Sequence, residues 1–441
     1  MEAKPGISDR VDVQDLIAEY EAKTPRSKVL HERISKVLPG GETRTVTFYL
    51  PYPVAIDSAG GPYIIDVDGN QYVDLANNMT ALVHGHRYQP VVDAIVSAMG
   101  IGTAHAGPHR FQLDFAELLQ SRYPAFELLR FTNSGSEAAL LALRIAQKAT
   151  NRKRFAMFDG GYHGMAPQFI DTVADQVRLP YNDLDAVASV VDDSLAAVFI
   201  EPFLGSKGII PAAPGFVEAV RELSKAAGAV FVLDEVQSLR NAPTGMDGSL
   251  GLESDLVIMG KAVGGGLPIG IVGGKRQLME VASAKNSNGL VHSGTFNGNV
   301  VVSAAGYASM MHLTEARIET LIARATVLED HLEAEGRRLR LPIAVTRAGS
   351  IMCVHFKASD PRDAAEAIPT SPLAAWWHIA ALLEGVYVTR GGRMNLSTVM
   401  SEADIREVCA ALTRALERLA SIQRIPDVGE EGQGLEWVAG R

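Results

Sequence analysis

Two apolar runs organise the chain. Val230-Phe231-Val232-Leu233 leads into Asp234, and Leu256-Val257-Ile258-Met259-Gly260 leads into Lys261. Short apolar runs bounded by turn signals predict strands covered on both faces, as in a parallel sheet. Leu128 to Thr132, Arg154 to Phe158, Phe169 to Thr172, Leu195 to Ile200 and Ile269 to Val272 have the same character. With Ala229 to Leu233 and Leu256 to Met259 they make seven expected strands. Between several of them apolar positions recur at helical spacing, predicting helices over Ser136 to Ala149, Leu184 to Val191 and Pro214 to Ala227. Strands alternating with helices predict an α/β fold with a largely parallel sheet.

The flanking regions read differently. Asp9 to Leu38 is helical in pattern, broken at Thr24-Pro25 and ended by Pro39-Gly40-Gly41. β-rich pieces follow at Thr45 to Leu50, Val54 to Ser58, Tyr63 to Asp66 and Tyr72 to Leu75, with a hairpin signal at Asp68-Gly69-Asn70. Helices are expected over Pro90 to Met99 and Phe111 to Arg122, and one long helical segment over Val300 to about Leu339. Beyond it, strands at Ser350 to Phe356, Val386 to Thr389 and Met394 to Ser397 mix with helices at Leu373 to Leu383 and Glu402 to Leu419. The expected division is 1–78 as an arm and part of a small domain, 79–325 as a large domain and 326–441 as a small α+β domain. The tail Gln423 to Arg441 is expected to be loose or packed on a partner.

Composition narrows the function. With 47% hydrophobic and 21% charged residues the chain is that of an ordinary globular protein. A net charge of −10 argues against non-specific binding to nucleic acid or acidic membrane. No apolar run is long enough to span a bilayer, and Met1 to Asp15 has no signal-peptide core. Cys353 and Cys409 lie far apart with mostly apolar neighbours, which fits reduced thiols. A cytoplasmic location is therefore expected, with no nucleic-acid or membrane partner.

Parallel sheets place their chemistry beyond the carboxyl ends of the strands, so Asp234 and Lys261 should meet at one edge. A primary amine and a carboxylate there suit pyridoxal phosphate: the amine condenses with the aldehyde, and the acid keeps the ring nitrogen protonated. A strand-end ion pair is the alternative. Ser134, Gly135 and Ser136 open a predicted helix, where N–H and hydroxyl donors can hold a phosphate; they also read as an N-cap with Glu137 in the first turn. Tyr162, in Gly160-Gly161-Tyr162-His163-Gly164, can lie flat on a cofactor ring or fill a core. His163 could be a supporting donor or a turn histidine. Gly264-Gly265-Gly266 lacks dinucleotide-loop spacing and is followed by Leu267-Pro268 rather than a helix. The pairs His84 and His86, and His105 and His109, have no carboxylate cluster, and no metal is expected.

Read together, these residues resemble the class III (subgroup II) aminotransferases of pyridoxal phosphate fold type I. The similarity runs from Pro39-Gly40-Gly41 to Ser401-Glu402-Ala403-Asp404-Ile405. Its landmarks include Asp66-Val67-Asp68-Gly69-Asn70, Asn133-Ser134-Gly135-Ser136-Glu137-Ala138, Tyr162-His163-Gly164, Tyr181-Asn182-Asp183, Glu201-Pro202, Asp234-Glu235-Val236, Gly260-Lys261 and Gly294-Thr295. The nearest families in pattern are the glutamate-1-semialdehyde aminomutases and the β-amino acid (β-phenylalanine type) aminotransferases. The resemblance implies a large cofactor-binding domain with a mostly parallel seven-stranded sheet, a small α+β domain, and a homodimer with shared active sites. It makes Lys261 the Schiff-base lysine and proton carrier, Asp234 the partner of the ring nitrogen, and Tyr162 the stacking ring. It gives the phosphate to Ser134, Gly135 and Ser136, with Thr295 reaching the neighbouring subunit's phosphate. Gln237 would contact the phenolic oxygen, and His163 and Glu201 would line the cofactor site.

Departures from the pattern bear on substrate. Val388-Thr389-Arg390-Gly391-Gly392-Arg393-Met394 is short and basic where the aminomutases carry an acidic, aromatic-flanked insertion. Ser206 stands where ornithine- and GABA-type enzymes have a glutamate. Glu42-Thr43-Arg44-Thr45-Val46 resembles the arm of the β-amino acid enzymes, so Arg44 is the leading partner for a substrate carboxylate, followed by Arg390 and then Arg393. The implied activity is ping-pong transfer of an amino group from an amino acid or amine to a keto acid, with the glutamate-1-semialdehyde aminomutase reaction as the alternative.

Overall fold

The central sheet has seven strands in the spatial order Leu128–Thr132, Gly270–Gly274, Leu256–Gly260, Val230–Asp234, Leu195–Ile200, Arg154–Phe158 and Gln176–Leu179. This computed structural model describes residues 13–369 and 371–422. Neighbouring strands from Leu256–Gly260 to Gln176–Leu179 run parallel, while Gly270–Gly274 is antiparallel to both of its neighbours. Every residue of Leu195–Ile200, Val230–Asp234 and Leu256–Gly260 is buried, as expected where helices cover both faces of a parallel sheet. The helix Gly135–Thr150 buries Ala138, Ala139, Ala142 and Ala146 against it. Small side chains let the helix axis approach the strands closely, so its first turn lies near the ends of the Asp234 and Lys261 strands.

Two expectations fail within this region. Phe169 to Thr172 is not a strand: Pro167–Ile170 is a short helix, and the edge strand is Gln176–Leu179. Pro167 at the first helical position presets φ and gives up an N–H that would be unpaired there anyway. The true edge strand alternates Gln176 and Arg178 with Val177 and Leu179, a weaker apolar signal. The long segment after Val300 is two helices, Val300–His312 and Glu315–Leu339, separated where Thr314 adopts an extended N-cap conformation.

The N-terminal helical pattern divides into Val13–Lys23 and Pro25–Ile34, while 9–12 and the tail 423–441 lie outside the described residues. Thr45 to Leu50 forms a 3-10 turn, Thr45–Thr47, rather than a strand. The meander Ile56–Gly60, Tyr63–Asp66, Gln71–Asp74 gains a fourth strand from the far end of the chain, Val386–Tyr387, with Val386 opposite Val73. A separate antiparallel sheet joins Ala344–Ala348, Ile351–His355 and Arg393–Asn395. The helix Glu402–Ser421 starts with a reciprocal capping box between Ser401 and Asp404. No described helix is long and apolar enough to cross a membrane.

Candidate active site

The sheet brings the two key residues to one edge. Val230–Asp234 and Leu256–Gly260 run parallel with Asp234 opposite Ile258, so Lys261 emerges just beyond it. Lys261 holds a left-handed backbone, φ 52°, at the sheet's rim. Burial lowers its amine to about 8, against the pull of the Asp234 and Glu201 carboxylates toward the ammonium form; the Arg393 charge lowers it further. Glu201 moves the other way, to about 7, because it is buried and faces Asp234.

Asp234 is 4% exposed. One carboxylate oxygen accepts the Val236 N–H at 2.9 Å and the other accepts Nδ1–H of His163 at 2.8 Å. His163 packs edge-on to Phe169 and tilted against Phe199, and its Nε2 is buried without a polar partner. The imidazole is thus held in one orientation, and a lone pair on each Asp234 oxygen is left for another donor. Tyr162 is 40% exposed, and its N–H donates to Glu201 at 2.9 Å.

Ser134 caps the helix Gly135–Thr150, its Oγ accepting the Glu137 N–H at 3.2 Å. Glu137 reaches back to the Asn133 N–H at 2.7 Å, so the N-cap reading holds. It does not exclude an anion, because N–H groups in the first turn have no acceptor within the helix. Ser136 Oγ accepts the Met165 N–H at 3.1 Å. Gly164, at φ 100°, makes this approach possible: a Cβ there would lie 2.4 Å from Ser136 Oγ. Gln237 is buried, and a Cβ on Gly205 would lie 2.1 Å from its Nε2. Thr295 lies on an exposed loop whose Asn297 bonds to Asn133 at 2.9 Å.

The three arginines separate. Arg44 is exposed and donates to Asn78 Oδ1 at 2.7 Å. Arg390 is half-buried, and its charge bears on His378. Arg393 donates to the Gly205 carbonyl at 3.0 Å and interacts electrostatically with Lys261 and Glu201. Arg390 and Arg393 border a cavity of about 130 Å³, shared with Val46, Cys353 and Trp377.

One feature had no clear sequence signal. Asn77, Asn78, Met79 and Thr80 have φ of 43°, 47°, 55° and 74°, a left-handed turn without glycine. Such residues cost about 1–2 kcal/mol each, less for asparagine. The Asn77-Asn78 pair was the available hint, since asparagine tolerates this region. The candidate histidines serve other ends: His86 pairs with Asp74, His84 bridges Thr398 and the Ser309 carbonyl, and His109 caps the helix Arg110–Arg122.

A buried amine of lowered basicity, a buried carboxylate, an accessible ring and a helix N-terminus define a site for a cofactor with an aldehyde, a protonatable ring and a phosphate. The donor set fits pyridoxal phosphate, and the Asp234–His163 pair leaves an acceptor for a ring N–H. Residues 47–416 match the family described as Aminotransferase class-III, and the chain belongs to it. It is a pyridoxal phosphate-dependent aminotransferase of fold type I, acting on an amino donor and a keto acid. It is 35% identical to the β-phenylalanine transaminase of Variovorax paradoxus over 409 residues, 90% of this chain and 94% of that one. It is 33% identical to a glutamate-1-semialdehyde 2,1-aminomutase of Geobacillus kaustophilus over 426 residues, 89% and 98% of the two chains. The structure of an omega-transaminase from Sphaerobacter thermophilus superposes with a TM-score of 0.85 at 34% identity, covering 89% of this chain and 97% of that one.

Proposed function

We propose that this aminotransferase takes a β-amino acid as donor and holds its carboxylate on arginine. The observation that carries the reading is the basic edge of the site: Arg393 is close enough to lower Lys261, and Arg44 reaches Asn78 from the arm. A β-amino acid sets its carboxylate one carbon further from the amine, which suits a guanidinium set back from Lys261. The similarity to a β-phenylalanine transaminase supports the same class.

Pyridoxal phosphate supplies the aldehyde and an electron-withdrawing ring. Lys261 Nζ would hold the aldehyde, and as a free amine it would take the proton from the donor's amine-bearing carbon. Its lowered basicity keeps a useful share of the amine neutral at physiological pH. Asp234 would accept the ring nitrogen's N–H, and His163 fixes that carboxylate. Glu201 fixes the backbone that carries Tyr162, whose ring would cover the cofactor. Ser134, Gly135 and Ser136 would hold the phosphate, and Gln237 would meet the phenolic oxygen. The donor would leave as its carbonyl compound, and a keto acid would receive the amino group in the second half of the exchange, with Lys261 Nζ returning the proton.

The molecule works as a homodimer in which Thr295 reaches the other subunit's phosphate. Val96, Met99, Ile101, Leu113, Tyr307 and Met311 are exposed, and apolar side chains left in water favour such a contact. Strand Val386–Tyr387 supports the division at 79 and 326, because it ties the N-terminal meander to the C-terminal part. Two free thiols, Cys353 and Cys409, fit a cytoplasmic location.

The test is a panel of α-amino, β-amino and plain amine donors against pyruvate and 2-oxoglutarate. Preference for β-amino acids is expected. Conversion of glutamate-1-semialdehyde without any keto acceptor would instead establish the aminomutase.

A further inference from the structure

We propose that the left-handed turn Asn77–Thr80 positions the carboxylate site, with Asn78 holding the Arg44 guanidinium and Met79 lying against that of Arg393. The inference rests on the reading of these arginines as carboxylate partners.

Four successive left-handed residues without glycine persist only where the surroundings over-determine them. The clamps are visible. Asp74 accepts the N–H groups of Ala76 and Asn77 at 2.8 and 2.9 Å. The Asn77 amide donates to the carbonyls of Asp74 and Asn395, at 3.0 and 2.8 Å. Asn395 returns two bonds, to the carbonyls of Leu75 and Ala76. Asn395 ends the strand that begins at Arg393, so the turn and Arg393 share one rigid frame.

What that frame presents is specific. Asn78 is exposed, and its Oδ1 takes the Arg44 Nη1–H at 2.7 Å. Met79 sulfur lies 3.5 Å from Arg393 Nη2. Met79 and Thr80 border a small cleft with Gln237 and Arg393. One turn therefore touches both guanidinium groups.

The chemistry of the contact matters. An amide oxygen is neutral and uses one of five guanidinium N–H groups. It fixes Arg44 while leaving its charge and a two-pronged edge for a carboxylate. A carboxylate in the same place would hold Arg44 equally well and compete with the donor.

Asn78→Asp makes that competitor, in a residue that also tolerates left-handed backbone. The dissociation constant of hydrocinnamate, a carboxylate without an amine, should rise about tenfold, or about 1.4 kcal/mol. The kcat/KM ratio of a β-amino acid to a plain amine should fall by about the same factor. Asn78→Gly keeps the backbone and removes the acceptor, so the same ratio should fall about threefold without loss of Tm. If Arg44→Ala lowers the ratio while both Asn78 variants leave it and the hydrocinnamate affinity unchanged, the positioning role is refuted and the carboxylate reading stands. If Arg44→Ala and Arg393→Ala slow acids and amines equally, the carboxylate reading itself is refuted.

Discussion

The lowered basicity of Lys261 can be measured on the cofactor-free chain, before any turnover. Only the neutral amine attacks an aldehyde. At an ordinary lysine value about 0.03% of the amine is neutral at pH 7. At about 8 the neutral share is near a tenth, roughly a three-hundredfold gain. The rate of covalent capture of added pyridoxal phosphate should therefore rise with pH and level off just above 8, where Lys261 is mostly neutral. Capture is followed by absorbance and assigned to Lys261 by borohydride reduction and peptide mass. The neighbouring charges give signed controls. Asp234 and Glu201 favour the ammonium, so Asp234→Asn and Glu201→Gln should move the midpoint down; Arg393 opposes it, so Arg393→Gln should move it up. A unit charge about 10 Å away at an effective dielectric of about 20 is worth about 1.7 kcal/mol, or about one pH unit. Glu201 itself titrates near 7, so its replacement should matter more above that pH than below it. A capture rate still climbing beyond about pH 10, or shifts of opposite sign, would refute the account of how burial sets this amine.

Two further outcomes test other parts of the molecule. If Thr295 serves the partner's phosphate, dilution to monomer should release the cofactor, and Thr295→Ala should weaken retention and dimerisation together; sedimentation with cofactor absorbance decides it, against a monomer that retains cofactor as tightly as the dimer. His84, His355 and His378 are buried, with values lowered to about 4, 4 and 3 by desolvation. The unfolded chain binds protons on these rings near 6.5 and the folded chain does not, so their stabilisation is full above that pH and is lost as pH falls toward 4, about 2 kcal/mol each by pH 5. His378 has no polar partner on either nitrogen, so His378→Phe should reduce the difference in urea midpoint between pH 7 and 5; an unchanged difference rules out its part in it.

The legible parts of the chain were those whose signal is local. Asp234 and Lys261 stand out because strands buried on both faces are unbroken apolar runs, and a charge at their end is conspicuous. Ser134 and Glu137 carry their meaning within one turn of helix. Phe169 to Thr172 was misread because Pro167 outweighed the β-branched composition, and an edge strand needs only a half-apolar pattern. The ranking of Arg44, Arg390 and Arg393 was out of reach: proximity to Lys261 depends on strand Arg393–Asn395 meeting the Gly205 carbonyl, a contact across the chain. Met79 and Thr80 gave no sign of left-handed backbone, since tertiary bonds from Asp74 and Asn395 impose it.

The parallel pairing of Val386 with Val73 also sets an order of events during synthesis. The meander Ile56–Gly60, Tyr63–Asp66, Gln71–Asp74 leaves the ribosome early, yet its fourth strand is among the last segments made. Until then one edge of that sheet offers unpaired backbone groups to any other strand nearby, and a pairing so distant in sequence forms slowly. Arg393 arrives with the same late segment. A nascent chain can thus complete the Asp234 and Lys261 edge while still lacking the guanidinium that faces it. Truncation shortly before Val386 should leave a sticky, half-built small sheet rather than a smaller working enzyme.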